Sequence, residues 1–438
     1  MTGTLLSYGA MGVAMVEAVG TVDGPGAGRR PHGRQAVAFI TVVSLLNSIA
    51  AMMILPVLPR LVEGFTHQTS GAAVYIGSFA AAFGLIQFLA SPVLGSLSDA
   101  YGRRTVILIS ASGMAVDYLF MALAPSVGWL FVGRMISGLT ASSGPAVNAY
   151  IADVIPPEER AGVFGWTGAA FSVGFLVGPA LGGFLGVIDP RLPFWASAAI
   201  GLAVALYGLF VLPESLPRER RTPFSFRRAN PWGSFRFLAE RPQILGLVVV
   251  LSMMFMAAQC LPTTLPLFTE HRFHWSTAAV GAYLSYASVG HLVVQGLVVK
   301  RFVAKFGERV AAVTGYAATA AGFLIYATAP TGPLFAMGMP LYALAGLVGP
   351  SVQSQLTRSV APTEQGRLQG AVAGVSSLIG VVAAMTFPLI FSFTAAKGHE
   401  GWPQGLHIYV AAAILICGAI LAFRIMRRSP ASVAASAA

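Results

Sequence analysis

The chain has 438 residues, 56% of them apolar and only 10% charged, with a mean hydropathy of +0.74. A water-soluble domain carries about 25% charged residues, so this composition excludes a soluble globule and requires lipid as the main solvent. The formal net charge of +11 would suit nucleic acid, but the cations are spread along the chain in a way that excludes that use.

Residues 1–35 are Gly-rich and end in Arg29, Arg30, Pro31 and Arg34. The apolar stretch from Leu5 to Val13 is short and lacks the preceding basic residue of a signal peptide, so a mobile cytoplasmic tail is predicted. Apolar runs of about 20 residues then recur, each long enough to cross about 30 Å of hydrocarbon. Six lie at roughly 36–58, 73–95, 105–124, 127–150, 162–186 and 192–212. Six more follow at roughly 243–268, 276–299, 309–329, 331–355, 367–393 and 403–424. β-Barrel strands are about 10 residues of alternating character, and these runs are longer and continuous. The 49 glycines suit close packing of membrane helices. An all-α membrane protein of twelve spans is predicted.

Of the 27 Lys and Arg, Arg60, Arg191, Arg272 and Lys397 fall in alternate loops and Arg134 falls within a span. The other 22 occupy the termini and every second loop. That positive-inside pattern places both termini in the cytoplasm. The basic 213–242 connection, with Arg218, Arg220, Arg221, Arg227, Arg228, Arg236 and Arg241, is then a cytoplasmic linker that also meets anionic lipid. Residues 425–438 form a cytoplasmic C-terminal tail. Cys260 and Cys417 lie inside apolar runs and make no metal or redox motif.

A charged turn, Gly95-Ser96-Leu97-Ser98-Asp99-Ala100-Tyr101-Gly102-Arg103-Arg104, separates the second and third spans. A weaker copy, Lys300 to Arg309, follows 205 positions later. At the same offset Gly144-Pro145 matches Gly349-Pro350, Pro157 matches Pro362, Glu159 matches Glu364 and Gly165 matches Gly370. A constant offset implies duplication. The chain therefore divides into two six-helix bundles, 36–212 and 243–424. Parallel halves of six spans are the layout of major facilitator transporters, whose substrate site lies near the bilayer midplane between the halves.

Departures from the repeat point to function. Gly174, Gly178 and Gly182 share one face of the fifth span, beside Pro179 and Gly183, with no equal at 379–388. The face serves either a functional bend or gate, or tight packing. Ionisable groups inside hydrocarbon are costly and mark ion or substrate paths. Asp117 in the third span can exchange a proton or face a cationic substrate, or else stay ionised beside Arg134 of the fourth span. Arg134 keeps its proton. His291 of the eighth span can relay protons or stay neutral and hydrogen-bonded.

Asn47, Gln87, Asn148, Gln295, Gln353 and Gln355 add mid-membrane amides that either orient a polar ligand or tie helices together. Phe83, Phe88, Phe255, Tyr283 and Tyr286 can supply apolar walls or packing. In the turn, Asp99 can reach Arg103, Arg104 or a helix N-terminus and form a cytoplasmic latch. The charged turn of Asp153, Glu158, Glu159 and Arg160 is a second such contact.

Gly95-x-Leu97-Ser98-Asp99-x-x-Gly102-Arg103-Arg104, Arg134 with Gly138, and Gly174-x-x-x-Gly178-Pro179-x-x-Gly182-Gly183 resemble the signature motifs of twelve-span drug/proton antiporters. Val116-Asp117-Tyr118, Ala149-Tyr150-Ile151-Ala152-Asp153, Leu212-Pro213-Glu214-Ser215, Arg272-Phe273-His274-Trp275 and Leu368-Gln369-Gly370 are more similar to bacterial tetracycline/proton antiporters. The likeness runs from about residue 40 to 425.

The resemblance implies export of the drug as a divalent-cation complex in exchange for an inward proton, in a bacterial inner membrane, by a monomer. The only energy source implied is the proton gradient; the partners are a small-molecule substrate, protons and the lipid bilayer, with no nucleic acid. It carries Asp99 and Arg103 onto the cytoplasmic gate, and Asp117, Arg134, His291, Gln87 and Gln295 onto matching polar positions. Two positions depart from the family pattern. Its first-helix aspartate falls on Asn47, upstream of Pro56 to Pro59, and its ninth-helix aspartate falls near Thr319. The alternative is an exporter of another metabolite or sugar-like solute, with tetracycline not a substrate. The sequence has no His-Glu-x-x-His and no Gly-x-Ser-x-Gly, so an enzyme is not expected.

Overall fold

A backbone in hydrocarbon must satisfy its own hydrogen bonds, so the apolar runs fold as helices. The computed structural model describes residues 31–66, 68–140, 144–155, 157–222, 224, 238–360, 365–396 and 403–426. Most of the N-terminal tail, residues 225–237 of the linker and residues 427–438 lie outside the described residues. So do the side chains of Asn148, Glu158, Glu159 and Arg160.

The first part of the chain forms α1 (Pro31–Met53), α2 (Leu58–Thr66), α3 (Thr69–Tyr101), α4 (Arg103–Ala122), α5 (Val127–Thr140), α6 (Gly144–Val154), α7 (Pro157–Ile188) and α8 (Leu192–Val211). After the linker come α9 (Pro242–Ala258), α10 (Cys260–Phe273), α11 (Thr277–Val293), α12 (Val299–Thr328), α13 (Gly332–Ala336), α14 (Met339–Ala343), α15 (Val348–Arg358), α16 (Gln365–Ala395) and α17 (Leu406–Ile425). Among the described residues, ten helical stretches are long and apolar enough to cross a membrane. One of them, Thr277–Thr328, contains two of the expected spans. The expected fourth span holds α5 and α6, and residues 141–143 between them lie outside the described residues.

Several spans are broken where the sequence reading drew them continuous. The first stops at Met53 and resumes at Leu58, because Pro56 has no N–H to give the ladder. The seventh breaks at Gln259, between α9 and α10. The tenth is a chain of short turns, α13 to α15, with Pro333, Pro340 and Pro350 at intervals. The eighth ends in a π-helical turn, Val294–Val298. Such turns widen the helix by one residue and recur at functional sites.

Within the first bundle α1 packs along α7, α4 along α8 and α3 along α5; within the second, α17 packs along α12 and α9. The most extensive joins between the bundles are α3 with α16 and α7 with α11, and α10 also meets α2 and α3. Two helical bundles thus meet along two principal seams, the layout that the resemblance implies.

Candidate functional site

The first charged turn is built around Gly102, whose φ of 105° and ψ of 149° suit only glycine. The chain reverses there, ending α3 and starting α4. Arg103 then holds three groups: Asp99 through a close ion pair, Ser98 Oγ at 3.2 Å and Asp153 Oδ2 at 3.3 Å. Ser215 Oγ also donates to Asp153, at 3.1 Å. Glu214 accepts from the backbone N–H groups of Arg103 at 2.9 Å, Ser215 at 3.0 Å and Leu216 at 3.1 Å. Its carboxylate sits where the positive end of the α4 dipole favours an anion. The backbone N–H of Thr222 donates to the Asp99 carbonyl at 3.1 Å, which ties the start of the linker to the turn. Gly95 lies half-buried inside α3.

The second turn repeats the design with its charges exchanged. Gly307 has a φ of 78° and a ψ of 165° inside α12. The next residue, Glu308, pairs with Arg358, and both stand 205 positions after Arg103 and Asp153. Arg104 donates to the Leu209 carbonyl at 2.6 Å near the end of α8. Arg309 does the same to the Phe423 carbonyl near the end of α17, and its guanidinium lies 4.1 Å from the Phe423 ring centroid. Position 304, opposite Asp99 in the repeat, is alanine.

Deeper in the first bundle, Asp117 is wholly buried between α4 and α5. Ser137 donates a short hydrogen bond to one carboxylate oxygen, and the other has no hydrogen-bond partner. Arg134 is turned over the Phe83 ring, 4.7 Å from its centroid, and makes no ion pair with Asp117. Gly133 leaves the room that the carboxylate occupies, since a Cβ there would lie 3.2 Å from Oδ1.

A cavity of about 520 Å³ lies between α7 and the helices of the second bundle. Phe171 and Phe175 form one wall; Tyr283, His291, Gln295 and Tyr342 supply the polar part of the other. The His291 and Tyr342 rings are 5.1 Å apart. Tyr283 Oη donates to Tyr326 Oη at 2.7 Å, anchoring it to α12 behind the wall. The π turn carries Gln295. Asn47 lies half-buried on α1, Gln87 on α3, and Gln353 and Gln355 on α15; none of them borders this cavity.

The Major Facilitator Superfamily profile matches residues 40–384. The chain belongs to that family. It is similar to "Tetracycline resistance protein, class C" of Escherichia coli, 37% identical over 372 residues that cover 85% of this chain and 92% of that protein. It is also similar to "Multidrug resistance protein 2" of Bacillus subtilis (strain 168), 29% identical over 277 residues, 62% of this chain and 68% of that one. The crystal structure of the human organic anion transporter MFSD10 (TETRAN) shares the fold, with a TM-score of 0.65 at 24% identity, covering 90% of this chain and all of that one. The protein is therefore a multi-pass membrane transporter and not an enzyme.

In this major facilitator protein the two bundles are closed against each other at the end remote from the charged turns. Arg60 Nε lies 3.6 Å from Glu270 Oε1, and Arg60 Nη1 donates to Thr277 Oγ1 at 3.3 Å. Just inside, Ser285 donates to the Leu176 carbonyl at 2.6 Å and Ser288 to the Phe175 carbonyl at 3.0 Å. Gly174, Gly178 and Gly182 abut the α1 backbone and side chains from Ser48 to Met53, while Pro179 and Gly183 abut Gly281 of α11. The fifth span thus turns one small-residue face to its own bundle and another to its partner. The pairs at the charged turns, Arg103 with Asp99 and Asp153 and Glu308 with Arg358, each stay within one bundle.

Three contributors escaped the sequence reading: Glu214 as a cap on α4, Tyr342 on the cavity wall, and the Arg60–Glu270 pair. For Glu214 the signal was a carboxylate directly after the sixth span. For Tyr342 it was the run of prolines, since irregular backbone at membrane depth belongs beside a cavity.

Proposed function

We propose that this chain exports tetracycline-like or other amphipathic drugs in exchange for protons, by alternating access across a bacterial inner membrane. Both termini and the two charged turns face the cytoplasm, and a single chain is the working unit. The observation that carries this reading is the cavity between the bundles, which Arg60–Glu270 and the Ser285 and Ser288 hydrogen bonds close at the end remote from the charged turns. That is the form in which a drug enters from the cytoplasm.

Asp117 is the proton carrier, with Ser137 as its hydrogen-bond partner and Arg134 as the fixed neighbouring charge. His291 links that chemistry to the cavity. Asp99 and Arg103, braced by Gly95, Gly102 and Arg104, form the cytoplasmic gate. Gly174, Gly178, Pro179 and Gly182 form the surface on which the fifth span moves. Asn47, Gln87, Asn148, Gln295, Gln353 and Gln355 meet the substrate at one or another stage of the cycle. The relatives named tetracycline and multidrug resistance proteins support this reading.

A second reading, export of another metabolite or sugar-like solute, is favoured by Asn47 and Thr319 standing where the resemblance expects carboxylates. The Thr319 hydroxyl is spent on the Gly315 carbonyl at 2.6 Å. Susceptibility of a sensitive bacterial host expressing the chain, scanned over a drug panel, separates the two. Drug export raises the tolerated concentration of tetracyclines or another amphipathic class. An unchanged panel, with loss of a polar metabolite from the cells, establishes the second reading instead.

A further inference from the structure

The cargo of a tetracycline antiporter, as the resemblance has it, is a drug bound to a divalent cation, and the groups in this protein do not fit that cargo. Hard divalent cations and their complexes are held by oxygen ligands, usually including one or two carboxylates. A net positive complex leaving water also needs an opposing charge, or its desolvation is uncompensated. Of the 16 Asp and Glu in the sequence, only Asp117 falls deep inside a predicted span. It is wholly enclosed between α4 and α5 and does not border the cavity. Asn47 and Thr319 are neutral. Among the described residues no three His, Cys, Asp or Glu cluster as a cation site.

The cavity wall itself is built for a neutral guest. Its polar groups are two phenols, an amide, an imidazole and the hydroxyls of Ser172 and Ser288, facing Phe171 and Phe175. Tyr283 is held by Tyr326, so its oxygen remains free to accept from a ligand while its proton is committed. Gln295, set out by the π turn, offers both a donor and an acceptor. Flat aromatic walls with one hydrogen-bonding edge suit a planar amphipathic ring system.

Resting on the drug-export reading, we propose that this transporter takes its substrate as a planar amphipath in metal-free form, and that Gln295 and Tyr342 determine that choice. The test is equilibrium binding of tetracycline, and of the non-chelating dye Hoechst 33342, to the detergent-solubilised full chain in excess EDTA or in millimolar Mg²⁺. Tetracycline should bind in EDTA at least as tightly as in Mg²⁺. Tyr342→Phe should weaken binding in EDTA by about tenfold, the scale of one lost hydrogen bond to a ligand. Gln295→Glu should reverse the preference, making Mg²⁺ favourable. Binding of the dye with none of tetracycline also supports a metal-free planar guest. Wild-type binding of tetracycline that requires Mg²⁺ overturns the inference and leaves drug export intact. No binding of either probe under either condition overturns drug export, and this inference with it.

Discussion

The turns at Gly102 and Gly307 share a backbone and carry opposite charges. Each glycine sits in a positive-φ conformation, and each is followed by a residue bridging to the end of the helix five elements or fewer away: Arg103 to Asp153, Glu308 to Arg358. Each next residue, Arg104 or Arg309, donates to a carbonyl in the last turn of its bundle's final helix. The sign of the bridge is therefore free, while its presence is fixed by packing. What the first turn has and the second lacks is Asp99, with alanine at the matching position, and the Glu214 cap. The Glu214 carboxylate also meets Arg221 of the linker at 3.8 Å, and these additions are what the proposed gate would use.

Substituting the two glycines in parallel breaks the comparison most severely. Alanine at either position costs about 1–3 kcal/mol of backbone strain. At Gly102 the new Cβ also collides with the Glu214 carboxylate and releases the linker. Gly102→Ala is expected to lower drug export at least tenfold, with Gly307→Ala losing thermal stability but retaining most transport. Equal transport by the two variants, measured as drug accumulation in cells at matched expression, would remove the special role of the first turn.

Exchange of charges has the next largest effect. Arg358→Glu leaves Glu308, almost fully buried, facing a second carboxylate, and should destabilise the chain by about 1–3 kcal/mol. Adding Glu308→Arg gives the second turn the polarity of the first and should recover the loss. Failure of that double variant to recover melting temperature would show that the sign of the bridge matters after all.

The smallest effect lies at the remote end. Arg60 and Glu270 are each about a third exposed or more, and such pairs contribute about 0.2–1 kcal/mol. Arg60→Ala should move the inward/outward balance only a few-fold, read by spin-label distances across the two bundles. Arg60→Glu with Glu270→Arg should move it back. A balance insensitive to both substitutions would leave the closure to α7–α11 packing alone.

Much of this fold is legible in the sequence because lipid demands long apolar runs and duplication leaves a constant offset. The helix breaks were less visible. Pro56 announces one and Pro262, with no N–H for the Ala258 carbonyl, announces the break at Gln259, but the π turn at 294–298 carries no comparable signal. The site was legible residue by residue and not as a set. Asp117 and Arg134 stand out as ionisable groups in hydrocarbon, yet the hydroxyl that bonds Asp117 is that of Ser137. Serines in membrane helices usually bond their own i−4 carbonyl, as Ser48 does to Ser44 and Ser78 to Val74. Nothing local marks Ser137 as different. His291 and Gln295 reach the cavity together because they are a turn apart on one helix, whereas Tyr342 joins them only through the packing of α14 on α11.

On the proposed mechanism the proton is carried in the first bundle and the guest is held mainly against the second. Drug-driven proton movement in proteoliposomes tests that division directly, comparing Asp117→Asn with Tyr342→Phe. Asp117→Asn should bind tetracycline with near-normal affinity and move no protons. Tyr342→Phe should bind more weakly and still exchange protons for whatever drug it carries. Proton exchange at the wild-type rate in Asp117→Asn, with drug binding intact, would contradict it.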